Sequence, residues 1–490
     1  MQANQKEKTP ISSDIQAVKQ YMEKNVGLGV SFDLGVREIL IRDTMMQMYY
    51  VNGLCDTSFI IEILETLTDI NEQEDNALDV PIYDLVKNRL VQQSVEVVQT
   101  MDEMVDQVLS GLISIIVAGS GKALIVDVRS YPGRQPQEPD TERITRGARD
   151  GYVENIIINT ALTRRRIRDE RLRFEIMRVG ERSKTDIAIG YIDGVANPKL
   201  VNIIRDELKS IEIDGLTMAE KTVEEYLVNQ GYNPYPMVRY TERADVGANH
   251  LLEGHVLIYV DTSPSIMITP TTFFHHVQHA EEYRQAASVG TILRWFRFLG
   301  IFASLFILPL WLLFVLEPHL LPETMKFIGP QDDAHVHILL QIAVAEVGIE
   351  LLRIASIHTP APLSSAMGLI AAVLIGQIAI DVGWMVPEVL LYVAIASIGS
   401  FATPSLELGL ANKYMRYLIL IFTALFHVPG YMVANTLFIF FLTRLNTLST
   451  PYLWPFIPFA PKALSNIIIR RPVPGRHLRP RILHPVDRTK

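Results

Sequence analysis

The sequence holds one cysteine, Cys55, in 490 residues. An intramolecular disulfide is therefore impossible, and a cysteine-built zinc site is not expected. Basic residues are in deficit: 45 Lys and Arg against 54 Asp and Glu leave a net charge of -9, which argues against nucleic acid as a partner. The opening MQANQKEKTPISSD has no apolar run of the signal-peptide kind, so the N-terminal region is expected to stay cytoplasmic. No internal repeat is visible. Charge itself is missing from four tracts, 298 to 316, 354 to 380, 389 to 406 and 417 to 443. About twenty apolar residues cross the ~30 Å hydrocarbon core of a bilayer, so these tracts point to a membrane domain.

The expected fold is a mixed α/β cytoplasmic N-terminal region of two subdomains followed by an α-helical polytopic membrane domain. The subdomains span 1–130 and 141–290, joined by a proline-rich linker at 131–140. The membrane domain covers 291–445, with spans at about 295–316, 363–383, 387–405 and 416–443 and an amphipathic helix at 335–357; a basic cytoplasmic tail follows at 446–490. The last span is expected to be one tilted helix kinked at Pro429-Gly430. Trp295, Trp311, Trp384 and Trp454 all fall in or beside this region, as indoles at a bilayer interface do. Arg294 and Arg297 precede the first span, and Arg444, Lys462, Arg470 and Arg471 follow the last. The positive-inside rule then places both termini in the cytoplasm, with an even number of crossings. Lys413 and Arg416 would lie near the outer face, against that pattern.

In the soluble half, residues 31 to 110 read as helical, with Leu34, Ile39, Leu40, Met46 and Tyr49 on early turns. LISIIVAGSGKALIVDV (112–128) reads as a hairpin; Ile116 and Ala123 stand where a phosphate-binding loop needs Gly and Ser or Thr. Residues 254 to 268 form a second hairpin pattern. A helix before Asp169 ends in Arg164, Arg165, Arg166 and Arg168. These arginines suit either a solvated helix end or a contact with anionic lipid or a neighbouring subunit. His275, His276 and His279 are the best metal-ligand cluster, but no carboxylate or cysteine at motif spacing completes it. No catalytic arrangement, metal site or cofactor site is expected.

Within 335–357, His335, Glu346, Glu350 and Arg353 fall on one helical stripe. The stripe fits a surface helix with a Glu-Arg pair, or a carboxylate-lined vestibule whose rings select cations. Ser365, Gly368, Ala372, Gly376, Ala379 and Gly383 recur three or four apart, a face on which another helix packs closely; Ala396, Ser397, Gly399 and Ser400 extend the pattern.

TRGARDGYVENIIINTALTRRRI (145–167), GYIDGVANPKLV (190–201), TER (241–243), LLEGHVLIYVD (251–261) and LIAAVLIGQIAI (369–380), in that order, resemble the A-subunit family of GerA-type spore germination receptors. IHTPAPLSSAMG (357–368) and FATPSLELGLANKY (401–414) place the resemblance in a branch without the extended N-terminus. The resemblance implies a spore inner membrane location, contact with membrane lipid, and a homo-oligomer, a pentamer, forming a cation channel. It also implies a second small membrane protein as partner and a role in amplifying ion release. The alternative expectation is a non-conducting scaffold that organises germination proteins.

Overall fold

The computed structural model describes residues 9–71, 81–90, 95–130, 142–331, 335–358, 376–448, 450–472, 474 and 478–489; the expected linker at 131–140 lies outside them. The first α/β unit runs α1 (Ile15–Tyr21), β1 (Leu34–Ile41), β2 (Thr44–Val51), α2 (Thr57–Thr68), α3 (Ile82–Arg89), β3 (Val95–Val98), α4 (Met101–Leu109), β4 (Ile113–Val117) and β5 (Ala123–Val126). The second runs α5 (Ile156–Arg166), β6 (Leu172–Val179), β7 (Thr185–Ile192), α6 (Pro198–Lys209), α7 (Ala219–Val228), β8 (Arg239–Thr241), α8 (Ala244–Glu253), β9 (Val256–Val260) and β10 (Ile266–Thr269).

Each unit builds a five-stranded sheet, ordered β1-β2-β4-β5-β3 and β6-β7-β9-β10-β8, with every neighbouring pair antiparallel. One topology is used twice, which corrects the reading that the chain has no internal repeat. A faint trace lies in the sequence. Tyr50-Val51-Asn52-Gly53-Leu54 and Tyr191-Ile192-Asp193-Gly194-Val195 occupy the same place in the two units. Gly53 and Gly194 take φ of 80° and 75°, a conformation that favours glycine. They turn the chain into helices capped by Asp56 and Asn197.

Both expected hairpins form, as β4–β5 and β9–β10. The helical reading at the start of 31–110 is overturned: Leu34, Ile39 and Leu40 lie on β1, and Met46 and Tyr49 on β2. Arg42 and Asp43 close that hairpin with φ of 41° and 63°, as a type I′ turn requires. That turn normally advertises itself with Asn-Gly, so the charged pair hid it.

Short helices α9 (Phe273–Val277) and α10 (Ala280–Arg284) lead into a bundle of α11 (Ala287–Leu316), α12 (Ile338–His358), α13 (Pro387–Phe401) and α14 (Leu406–Arg444). Two of these, α11 and α14, are long and apolar enough to cross a membrane. Most of the expected second span, with Ser365, Gly368 and Ala372, lies outside the described residues. Gly376 has nothing within 4 Å of where a Cβ would stand. Close helix contact occurs elsewhere: a Cβ on Gly399 of α13 would overlap the carbonyl oxygen of Gly300 on α11.

The reading of 416–443 as one kinked span is corrected. His427 sits at φ 53°, ψ -131°, outside helical space, and a Cβ on Gly430 would overlap the Phe422 carbonyl oxygen. Leu408 and Ala411 share a core cluster with Phe438 and Leu442, yet a rise of 1.5 Å per residue would put Leu408 and Phe438 about 45 Å apart in a straight helix. The chain therefore doubles back at His427, giving legs 406–426 and 428–444. The second leg buries one stripe, Gly430, Ala434, Phe438 and Leu442. Gly430→Ala is expected to force the legs apart, costing roughly 1–3 kcal/mol as overpacking does. A lowered melting temperature in detergent checks this; an unchanged one contradicts the close crossing.

The helices alternate in direction. Arg416 meets Ser304 and His427 meets Glu317, so the first leg of α14 runs parallel to α11. Trp311 stacks on Tyr392 and Gly300 approaches Gly399, so α13 runs antiparallel to it. After the bundle, α15 (Pro461–Ile468) lies beside α11, whose Arg294 donates to the Ile467 carbonyl. The Val486 N–H then bonds the Val195 carbonyl, returning the tail to the second α/β unit.

Candidate functional site

On α12, Glu346, Glu350 and Arg353 recur at helical spacing and share a face. The other side carries Leu340, Val344, Val347 and Leu351, each more than half exposed. Glu346 is buried, and Ile342 and Ala345 join the core with Trp311 and Leu312. Charged inward and apolar outward is the inverse of a helix resting on a surface, so that expectation is corrected. His335 precedes α12 and does not join the stripe; its ring instead lies where a Cβ on Gly383 would reach.

The first leg of α14 supplies the partners. Arg416 Nη2 donates to Glu346 Oε1 at 2.6 Å and the Tyr417 hydroxyl to Glu346 Oε2 at 3.1 Å. Lys413 Nζ lies 2.7 Å from Glu350 Oε2 and 3.6 Å from Glu346 Oε2. Arg353 Nε donates to Glu350 Oε1 at 3.0 Å. Arg416 Nη1 reaches the Ser304 carbonyl at 2.7 Å. That carbonyl lies in a π-helical turn, Ala303–Ile307, where the donor in register would be residue 309, a proline without an N–H. The π turn and Pro309 thus leave open an acceptor near the middle of α11, and the guanidinium takes it.

Three cations meet two carboxylates in this seam, inside the bundle. Lys413 and Arg416 are both held in this seam, where burial is tolerable because each is paired. Glu346 does not line an open vestibule within one chain. The Arg416 Nε is buried without a partner among the described residues.

The arginine cluster is also corrected. Arg164 is fully buried and donates through Nε to Asp33 Oδ2 at 2.5 Å and through Nη2 to the Leu172 carbonyl. Arg166 grips Asp150 with both Nη2 contacts at 2.6 Å. Neither is placed to meet lipid; Arg165 and Arg168 are the exposed members. Sequence reasoning missed Asp33 because it lies 131 residues away with no local pattern to mark it.

His275 and His279 do not share a helix, since α9 ends at Val277. His275 packs instead with His250 and His255, ring centroids 5.0 to 6.2 Å apart. No group of three or more metal-ligating residues placed to hold an ion occurs among the described residues.

Residues 20–482 match the family described as Bacillus/Clostridium GerA spore germination protein. The chain belongs to the GerA family. It is 59% identical over 472 residues to the stage V sporulation protein AF of Bacillus subtilis (strain 168), covering 96% of this chain and 95% of that one. It is 26% identical to the spore germination protein KA of the same organism, over 99% of this chain and 90% of the relative. A crystal structure of the N-terminal domain of the A subunit of the Bacillus megaterium spore germinant receptor GerK3 covers 55% of this chain and 99% of its own, at 27% identity and a TM-score of 0.44.

In this GerA-family chain the buried histidines set an acid limit. Burial above all lowers His255 to about 4, His276 to about 3 and His279 to about 4, and holds His275 well below its usual range. An unfolded histidine titrates near ~6.5, so below that pH the unfolded chain binds protons the folded chain refuses. Their stabilising effect is complete above about pH 6.5 and drains away as pH falls to about 4 for His255 and His279 and to about 3 for His276, by up to ~1.4 kcal/mol per pH unit per histidine. Melting temperature should therefore begin to fall near pH ~6.5, and His279→Gln should flatten the decline. A melting temperature that stays flat until carboxylates titrate contradicts this.

Proposed function

We propose that this chain is a subunit of a homo-oligomeric cation channel in the spore inner membrane, amplifying ion release during germination. The observation that carries the reading is the inverted α12, with a charged seam inside and apolar residues outside. Ionisable groups at membrane depth are costly and mark ion pathways, relays and sensors. The expected span at about 363–383 lies mostly outside the described residues; counted with crossings at 287–316, 338–358, 387–401 and the two legs of α14 it would make six, an even number in keeping with cytoplasmic termini. In the closed state Arg416 and Lys413 hold Glu346 and Glu350 against α14; opening separates the helices and frees the carboxylates to face the path. A pentameric ring and a second small membrane protein follow the family resemblance.

A scaffold reading has two observations in its favour: the Gly300–Gly399 contact and the ion pairs that tie α12 to α14 close-pack the bundle. Ion flux from liposomes loaded with cations separates the two. The channel reading expects flux through purified chain, alone or with its partner; sealed liposomes holding correctly inserted oligomers contradict it. Cysteine labelling tests the orientation, with Ser12 and Thr489 expected to be inaccessible from outside.

A further inference from the structure

Between Glu407 and Asp487 the chain has no acidic residue, while Arg444, Lys462, Arg470 and Arg471 fall within the interval. The segment after the hairpin folds back as an aromatic turn and α15. Phe456, Ile457 and Phe459 stand exposed on the turn and Ile469 just beyond α15. This surface is continuous with the outer face of α11. The Phe456 ring packs tilted against Phe274, which meets Phe298 edge-on, and the Trp295 indole N–H donates to the Ile468 carbonyl at 3.0 Å. Trp295, Phe296 and Leu299 are themselves exposed along α11. Lys462 and Arg471 are exposed beside this apolar strip.

We infer that residues 454–471 form an anionic-phospholipid docking surface on the leaflet facing the α/β units. The inference rests on the membrane reading above. An apolar strip continuous with a membrane-length helix submerges in the acyl boundary, and an indole settles at the headgroup level. Basic side chains with no acidic neighbour in sequence favour anionic over zwitterionic headgroups. Burial of Arg470, which bonds the Tyr283 carbonyl, fixes the segment to α10, so lipid composition would bear directly on where α11 enters the bilayer.

The test uses the full chain with Cys55→Ser and a fluorophore on Phe459→Cys, in nanodiscs of phosphatidylcholine with or without phosphatidylglycerol. Spin-labelled lipids of either headgroup serve as quenchers, and a label on Phe302→Cys reports insertion of α11. The expected result is loss of most emission at 459, deeper with the anionic quencher, and loss of that preference in Lys462→Glu/Arg471→Glu. Quenching at 302 but not at 459 overturns the inference while the membrane reading stands; blue-shifted, unquenched emission at 459 would then assign the surface to a protein. No quenching at either position removes the membrane reading itself. Equal quenching by both headgroups overturns the anionic preference.

Discussion

Arg164→Ala is expected to cost the α/β region about 3–5 kcal/mol, the usual penalty for removing one partner of a buried ion pair. Arg164 belongs to α5 of the second unit and Asp33 to the loop before β1 of the first, and both are buried. The same junction bonds the Phe174 N–H to Ser31 Oγ at 2.7 Å and the Phe32 N–H to the Phe174 carbonyl at 3.0 Å. Without the guanidinium, the Asp33 carboxylate is left buried and uncompensated, and the two units lose their charged clamp. Domains are stable by only about 5–15 kcal/mol, so the loss should appear as an early unfolding transition and protease cleavage between the units. Arg164→Leu combined with Asp33→Leu should recover much of it, because apolar replacement of both partners removes the stranded charge. Equal unfolding midpoints for the native chain and Arg164→Ala would contradict this clamp.

Glu346→Gln should have an effect of similar size, about 3–5 kcal/mol, in the bundle. Lys413, Arg416 and Arg353 would then share only Glu350, and Arg416 would lose its charged partner while its Nε already lacks one. If the seam holds the path shut, the variant should leak cations without stimulus and melt early. Glu346→Leu with Arg416→Met should restore the melting temperature yet abolish flux. A double variant that both folds and conducts like the native chain would return the seam to simple packing.

The parts of the fold legible in sequence were those with local signals. Gly119 and Gly121 announced β4–β5, and Asn155 capped α5 where the pattern placed a helix. The β1–β2 hairpin was not legible because Arg42 and Asp43 replaced the usual turn residues. The reversal at His427 was hidden because an uncharged tract of 27 residues reads alike as one long helix or two short legs. For the candidate site, periodicity grouped Glu346, Glu350 and Arg353 correctly but could not show which way they faced. Their orientation depends on Arg416 and Lys413, more than sixty residues away, and on an acceptor exposed by Pro309. Contacts of that range leave no mark in a local window.

The proposed function is cation conduction by an oligomer of this chain through a bundle lined by the charged seam. The test is purified chain reconstituted in planar bilayers, with and without the proposed small membrane partner. Discrete unitary cation currents are expected in the native oligomer and should be lost in Glu346→Leu/Arg416→Met. Inserted, assembled protein that yields no unitary steps under either condition would contradict it.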